Sequence, residues 1–309
     1  MDVWSLIDGR WLEGELAGAE GYWYNVTGAQ NGGLETLAER YGLHPLSIED
    51  CRSAMLHAPK IDEFHDHIFV VLQAFVATAR GPEPLEMDIF FGPKFLITYQ
   101  DVPLTTIQHV LADLRNGVAV RPGVDGLFYT MADHTTDALL PLVSELSGRL
   151  DEIEVEILSR SNFSHQPEIL SLRSRAGAVR RLLVPQLTVM QRLARGEIEI
   201  VDEQNRIYFR DVYDHLVRIN LELEALREDS EVALTTLLSA VNNRLSEVMK
   251  VLSVVSALAL PAIVIAGIFG TNFDNVPGLH SNLGFSVMIG TMIGMGIAMG
   301  FYFRRRRWF

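Results

Sequence analysis

The residues best suited to chemistry on this chain are oxygen and nitrogen donors. Gly270, Thr271 and Asn272 follow directly on a long uncharged run, where the carboxamide of Asn272 presents oxygen. Such oxygens suit a hard cation that sheds water reluctantly. An isolated Gly-x-Asn is by itself an ordinary loop, and its place at the end of an apolar run is what favours a binding role, with Gly270 permitting backbone geometry that a side chain would obstruct. His65-Asp66-His67 offers a second donor set: alternate residues of a strand share a side and imidazole suits Zn2+, although a plain surface strand end accounts for the same residues. Asp151, Glu152, Glu154 and Glu156 form an exposed acidic helix segment that would hold cations only diffusely. Other chemistries are excluded. The lone Cys51 permits neither an intrachain disulfide nor a cysteine zinc cluster. There is no Gly-xxxx-Gly-Lys-Ser/Thr phosphate loop and no Gly-x-Ser-x-Gly elbow. With no assembled nucleophile, base and oxyanion site, an enzyme is not expected.

The elements that must position these donors are announced by charge. The 309 residues carry −13 overall, yet residues 251–303 hold one charged side chain, Asp274, and residues 304–309 hold four Arg. Removing those five charges from the total leaves −16 on residues 1–250. Val251–Phe269 and Leu283–Phe303 are uncharged runs of 19 and 21 residues, each close to the ~20 that cross ~30 Å of hydrocarbon as helix. Soluble helices of that length show a charged face, and these show none. Lys250 before the first run and Arg304, Arg305, Arg306 and Arg307 after the second place both termini in the cytoplasm of an inner-membrane, multi-pass protein. The loop with Asp274 and His280 then faces outside, and Trp308 and Phe309 suit an interfacial anchor. The N-terminus lacks the features of a secretory signal. Gly290-xxx-Gly294 and Gly296-xxx-Gly300 allow close helix approach in lipid.

Upstream, residues 22–26, 67–72, 87–91 and 95–99 are aromatic and β-branched runs expected as strands, the last two joined by Gly92-Pro93-Lys94. Leu34–Tyr41, stopped by Gly42, and Leu46–Cys51 are expected as helices. Long helices are predicted near Val124–Leu158, near Pro167–Arg195 and from Tyr208, with turns at 161–166 and 196–206. From Tyr208 to Phe269 there is no Gly before Gly267, so those 62 residues would run roughly 93 Å as one helix. The expected organisation is an α/β subdomain at 1–102, a helical subdomain at 103–207, a stalk at 208–250, spans at 251–269 and 283–303, an external loop at 270–282 and a basic tail at 304–309.

At the junction of stalk and span stand Asn243-Arg244-Leu245-Ser246-Glu247-Val248-Met249-Lys250-Val251-Leu252, Leu260-Pro261 and Ile265-Ala266-Gly267-Ile268-Phe269-Gly270-Thr271-Asn272-Phe273. Together with the terminal Arg cluster, Tyr208–His215, Asp133-His134 and His44–Asp50, they strongly resemble the CorA family of divalent-cation channels and transporters, including its zinc-transporting ZntB branch, over essentially the whole chain. The resemblance implies an α+β/α membrane protein: an N-terminal α/β cytoplasmic domain, a long helical stalk entering the first of two C-terminal transmembrane helices, and a funnel-shaped homopentamer. Gly270, Thr271 and Asn272 match its selectivity filter, although the family's middle residue is usually Met. Ser246, Met249, Leu252 or Ser253, Ser256, Leu260, Ile263 and Gly267 share one helix face, which the resemblance makes pore-lining. There Met249 and Leu252 would close by dewetting, while Leu260 and Ile263 stand where Met and Thr are frequent. Asp211 matches an interface metal ligand of magnesium-type members, with Asp214 beside it.

Five domains at −16 each would repel, and bound divalent ions would relieve that repulsion. The implied partners are further copies of the chain, a lipid bilayer and divalent cations, with no nucleic acid. No cofactor is implied; Mg2+ or Zn2+ enters as substrate and regulator. Three readings follow: a Mg2+ channel that also admits Co2+ or Ni2+, a ZntB-like Zn2+ transporter, and a non-conducting ion sensor.

Overall fold

The computed structural model describes residues 1–28, 32–78, 81–118, 120–159, 165–271, 277–278 and 281–306. The chain forms two units, residues 1–155 with 164–234, and residues 156–163 with 235–309. In the first, seven strands form one mixed sheet: β1 (Asp2–Ile7), β2 (Arg10–Glu13), β3 (Gly21–Thr27), β4 (Lys60–Glu63), β5 (Ile68–Thr78), β6 (Gly81–Gly92) and β7 (Phe95–Gln100). Their order is β2-β1-β3-β7-β6-β5-β4, with β3 and β7 parallel and every other pair antiparallel.

Successive side chains of a strand alternate between faces, and here both faces are covered. Tyr24, Val26, Phe69, Val71, Phe90, Phe95 and Ile97 pack with Leu34 and Leu37 of α1 (Gly33–Tyr41) and Cys51 of α2 (Pro45–Arg52). Their neighbours Trp23, Ile68, Val70, Leu72, Ile89 and Leu96 point the other way and are equally buried. This is why β7 and residues 68–75 of β5 are continuously buried and mostly apolar, as expected of strands covered on both sides. The polar groups between β3 and β7 are paired. Trp23 Nε1 donates to Thr98 Oγ1 (3.0 Å), and Thr98 Oγ1 and Gln100 Nε2 donate to Asn25 Oδ1 (3.1 and 2.8 Å), stitching the parallel pair.

The four predicted strands are present, each extended by at least one residue at an end, while β1, β2, β4 and α3 (Thr105–Arg115) were not anticipated. Gly42 ends α1 in the left-handed region at φ 64°, where the lack of Cβ removes the steric cost. The helix predicted over 124–158 is two: α4 (Val124–Asp137) and α5 (Leu139–Ser159). Pro141 is the cause. It has no N–H for the Asp137 carbonyl and its ring crowds that carbonyl, so the break falls just before it. After α6 (Gln166–Arg195), α7 (Glu203–Phe269) begins five residues before Tyr208. Asp202 caps it, its Oδ1 accepting from the Gln204 N–H at 3.4 Å. The second unit contains the C-terminal part of α7 and α8 (Asn282–Arg305), whose start is capped by Ser281 Oγ accepting from the Leu283 N–H at 3.2 Å.

Strand β4 pairs with β5 only as far as Val71, so the next donor on that edge needs another partner. Gln186 of α6 supplies it, its Oε1 accepting from the buried Gln73 N–H at 2.8 Å. Gln186→Ala leaves that N–H unpaired and is expected to cost about 1–3 kcal/mol, seen as a lower unfolding midpoint of the purified chain. Asp88 is a second strained point: it is 3% exposed, and burial, followed by the charge of Glu86, pushes its carboxyl up to about 8. The folded chain therefore holds this proton more tightly than the unfolded chain. Stability is fullest at acid pH and is lost as the pH rises through about 8. Denaturation midpoints on either side of that pH should fall for the native chain and stay level for Asp88→Asn.

Candidate ion pathway and metal cluster

Two apolar helical stretches dominate the second unit. The most apolar window of α7 has mean hydropathy 2.5 with 6% of it buried, and that of α8 has 1.7 with none buried. On α7, Val254 is buried and Ala257, Leu258, Pro261, Ala262, Ile265 and Phe269 are half-buried. At 100° per residue these lie on one side. The predicted pore residues Ser246, Met249, Leu252, Ser253, Ser256, Leu260, Ile263 and Gly267 lie on the opposite side, and all are exposed. On α8, a Cβ added at Gly290, Gly294, Gly296 or Gly300 would meet nothing within 4 Å. The close-approach surface is open in the single chain.

At the end of α7, the Gly270 N–H donates to the Ala266 carbonyl (2.8 Å), and Thr271 donates to the Ile268 carbonyl through both its N–H (3.3 Å) and its Oγ1 (2.8 Å). The Thr271 hydroxyl thus caps the helix. Asn272, the third filter residue, lies outside the described residues, as do Asp274, His280, Arg307, Trp308, Phe309 and most of the turn at 161–166. Arg304, Arg305 and Arg306 are exposed at the end of α8 and Lys250 is half-buried.

The first unit brings together a group that sequence spacing does not reveal. Asp133 and Asp137 stand one turn apart on α4, and His215 of α7 faces them; one ligand atom from each lies within 4.8 Å of the others. His215 Nδ1 is shielded from solvent without a hydrogen-bond partner, 3.9 Å from Asp137 Oδ1. Its Nε2 is 3.9 Å from Asp211 Oδ1. Burial, then the neighbouring charge of Asp137, pushes the Asp133 carboxyl above the usual carboxylate range. Oxygen and imidazole donors at this spacing would converge on a divalent ion, which itself would relieve both the orphaned nitrogen and the crowded carboxyls. Of the two acids singled out in sequence, Asp211 borders this cluster. Asp214 is exposed and does not belong to it. The sequence signal was present only as separate fragments, Asp133-His134 and the segment ending in His215.

His65 and His67 do not come together. They occupy the turn between β4 and β5, where His65 is exposed and His67 is buried, stacked on Phe64 at 5.0 Å. Strand alternation does not apply there, and no shared ligand face results. In the acidic segment of α5, Asp151, Glu152 and Glu156 are exposed as expected, whereas Glu154 is half-buried next to the buried Ile153.

An α/β unit with a carboxylate–imidazole cluster, one helix of 67 residues and a pair of bare apolar helices together describe a membrane transporter of metal ions. The chain belongs to the family described as CorA-like Mg2+ transporter protein, whose family model matches residues 18–305. It is 27% identical over 291 residues to the cobalt/magnesium transport protein CorA of Thermotoga maritima, covering 93% of this chain and 83% of that one. It is 22% identical over 273 residues to the zinc transport protein ZntB of Yersinia pseudotuberculosis, covering 86% and 81%. The complete structure of the CorA magnesium transporter from Methanocaldococcus jannaschii superposes with a TM-score of 0.86 at 19% identity, covering 100% and 98% of the two chains. The expected fold class, with an N-terminal α/β domain, a long helix and two C-terminal apolar helices, is that of CorA. The activity class is divalent metal cation transport, not catalysis.

Proposed function

We propose that the chain forms a funnel-shaped homopentamer in the inner membrane that conducts Mg2+, with Co2+ and Ni2+ as further cargo, and closes when divalent ions occupy its cytoplasmic unit. The observation that carries this reading is the wholly exposed face of α7 from Ser246 to Gly267 on a helix too apolar for water. Two spans cannot enclose a polar path, so that face becomes a conduit only when several copies surround an axis. In this arrangement residues 251–269 and 283–303 span the bilayer, 270–282 face outside with Gly270, Thr271 and Asn272 as filter, and both termini are cytoplasmic. Uptake needs no nucleotide: a divalent ion entering at ~100 mV, inside negative, gains about 4.6 kcal/mol.

The regulatory site assigned here is Asp133, Asp137 and His215, with Asp211 at its border. Because α7 is one helix from Glu203 to Phe269, a change in its N-terminal turns reaches the pore-lining turns without an intervening loop. His215 also favours a second reading, ZntB-like Zn2+ transport, since imidazole suits Zn2+ better than Mg2+.

Flux into reconstituted vesicles, with Mg2+, Zn2+, Co2+ and Ni2+ compared in the native chain and Asn272→Ala, tests the transport reading. Mg2+ uptake abolished in the variant is the expected result. Zn2+ uptake that follows a pH gradient would favour the second reading, and absence of flux for every ion would leave a non-conducting sensor. A separate measurement addresses the cluster. His215→Ala and Asp137→Asn are expected to raise, by about tenfold or more, the divalent-ion concentration that protects the protein from protease, because each removes a charge-assisted contact of ~1.5–3 kcal/mol. Unchanged protection in both variants would remove these residues from regulation.

A further inference from the structure

A cavity of about 230 Å³ opens between α2, the loop after it, and the β6–β7 pair. At its floor is Asp88, 3% exposed, whose Oδ1 is closed to solvent and lacks a hydrogen-bond partner. Glu86 beside it is already engaged. Its Oε2 accepts from the His57 N–H at 2.5 Å and from Gln73 Nε2 at 3.4 Å, and its Oε1 lies 3.0 Å from His57 Nδ1. Met55, Leu56 and Leu85 make an apolar wall, and the exposed Asp101 stands at the rim, its Oδ1 accepting from the Tyr99 hydroxyl at 3.0 Å.

This pattern of acid at the floor, hydrocarbon along the wall and acid at the rim does not suit an inorganic ion. A hydrated cation needs polar groups on all sides, which the wall denies. A dehydrated one needs donors that converge, and among the described residues the compact ligand group is Asp133, Asp137 and His215, not these. Burial raises the Cys51 thiol further from thiolate, so it is no soft ligand. We propose that this cavity binds a short aliphatic diamine: one ammonium donates to the Asp88 carboxyl, the methylene chain lies along Met55, Leu56 and Leu85, and the second ammonium meets Asp101. An alkylammonium brings three donors to a buried carboxyl flanked by the Cys51 thiol and the Glu86 carboxyl, and its chain is the apolar complement of the wall. The groups facing Asp88 are Cys51 from α2, Glu86 from its own strand and Asp101 after β7. None is a cation, and burial, followed by the charge of Glu86, pushes the carboxyl up to about 8. The proposal is independent of which metal is carried.

Calorimetric titration of the full-length protein in detergent with diaminobutane, and separately with butylamine, tests it. Saturable diamine binding is expected, weakened about tenfold or more in Asp88→Asn. Asp101→Asn, a change at an exposed position, should reduce diamine affinity to that of butylamine and leave butylamine unaffected. Absence of saturable heat, equal affinity in Asp88→Asn, or Mg2+ displacing the diamine in an Asp88-dependent way would each overturn it. Vesicle flux plays no part in this readout, so failure here and failure of the transport reading are separable.

Discussion

The structure depends on one unmet requirement: the uncharged stretches of α7 and α8 need to leave water, and their own chain does not cover them. With 6% and none of their most apolar windows buried, the hydrophobic effect that folds the first unit is left largely unsatisfied in the second. Hydrocarbon supplies the missing environment. Inside hydrocarbon the drive for helices to associate is packing rather than water exclusion, and the open surface over Gly290, Gly294, Gly296 and Gly300 is where packing can be close.

The first unit meets the opposite constraint. Its sheet is buried on both faces, so every polar group inside it needs a partner from the chain. Most find one, as the Asn25, Thr98 and Gln100 network and the Gln186 contact to β5 show. Several do not, among them Trp4 Nε1, Trp11 Nε1, His67 Nε2 and Thr106 Oγ1. Two of the unpaired atoms, His215 Nδ1 and Asp88 Oδ1, differ from the rest in lying among acids that add negative potential. Both are places where a cation from outside the chain would complete the hydrogen-bonding and charge requirements that folding leaves open, one with imidazole and carboxylate, the other with carboxylate over hydrocarbon.

Much of this was legible in the residues. The uncharged runs required two apolar helices, Gly42 marked the end of α1, and Gly92-Pro93-Lys94 marked the hairpin between β6 and β7. What escaped had physical causes. Pro141 permits a helix to start as readily as it breaks one, so Val124–Leu158 read as continuous. A strand buried on both faces loses its alternation, which hid the fact that Asp88 points into the interior beside Cys51. The Asp133, Asp137 and His215 group is joined only by packing of α4 against α7, residues about eighty positions apart, and no local spacing can announce it. His65 and His67 misled for the reverse reason, because a turn follows no strand period.

Ion choice in the proposed pore turns on Thr271. Its hydroxyl is spent on the Ile268 carbonyl, so the side chain adds no free donor to the pore mouth and behaves as a small helix cap. The polar work of a hydrated cation would then fall on backbone carbonyls and on the Asn272 carboxamide, which is the division of labour an apolar residue at the middle position would also impose. Below that point, Leu260 and Ile263 put hydrocarbon on the exposed face of α7. A stretch of pore lined that way stays dry when narrow and wets only when the helices separate. The energy for separation would come from the −16 charge on residues 1–250 of each copy, whose mutual repulsion is released when divalent ions leave. In the proposed pentamer the apolar constriction and the acidic residues 1–250 would therefore be two halves of one arrangement, the first setting how far the helices have to move and the second supplying the force.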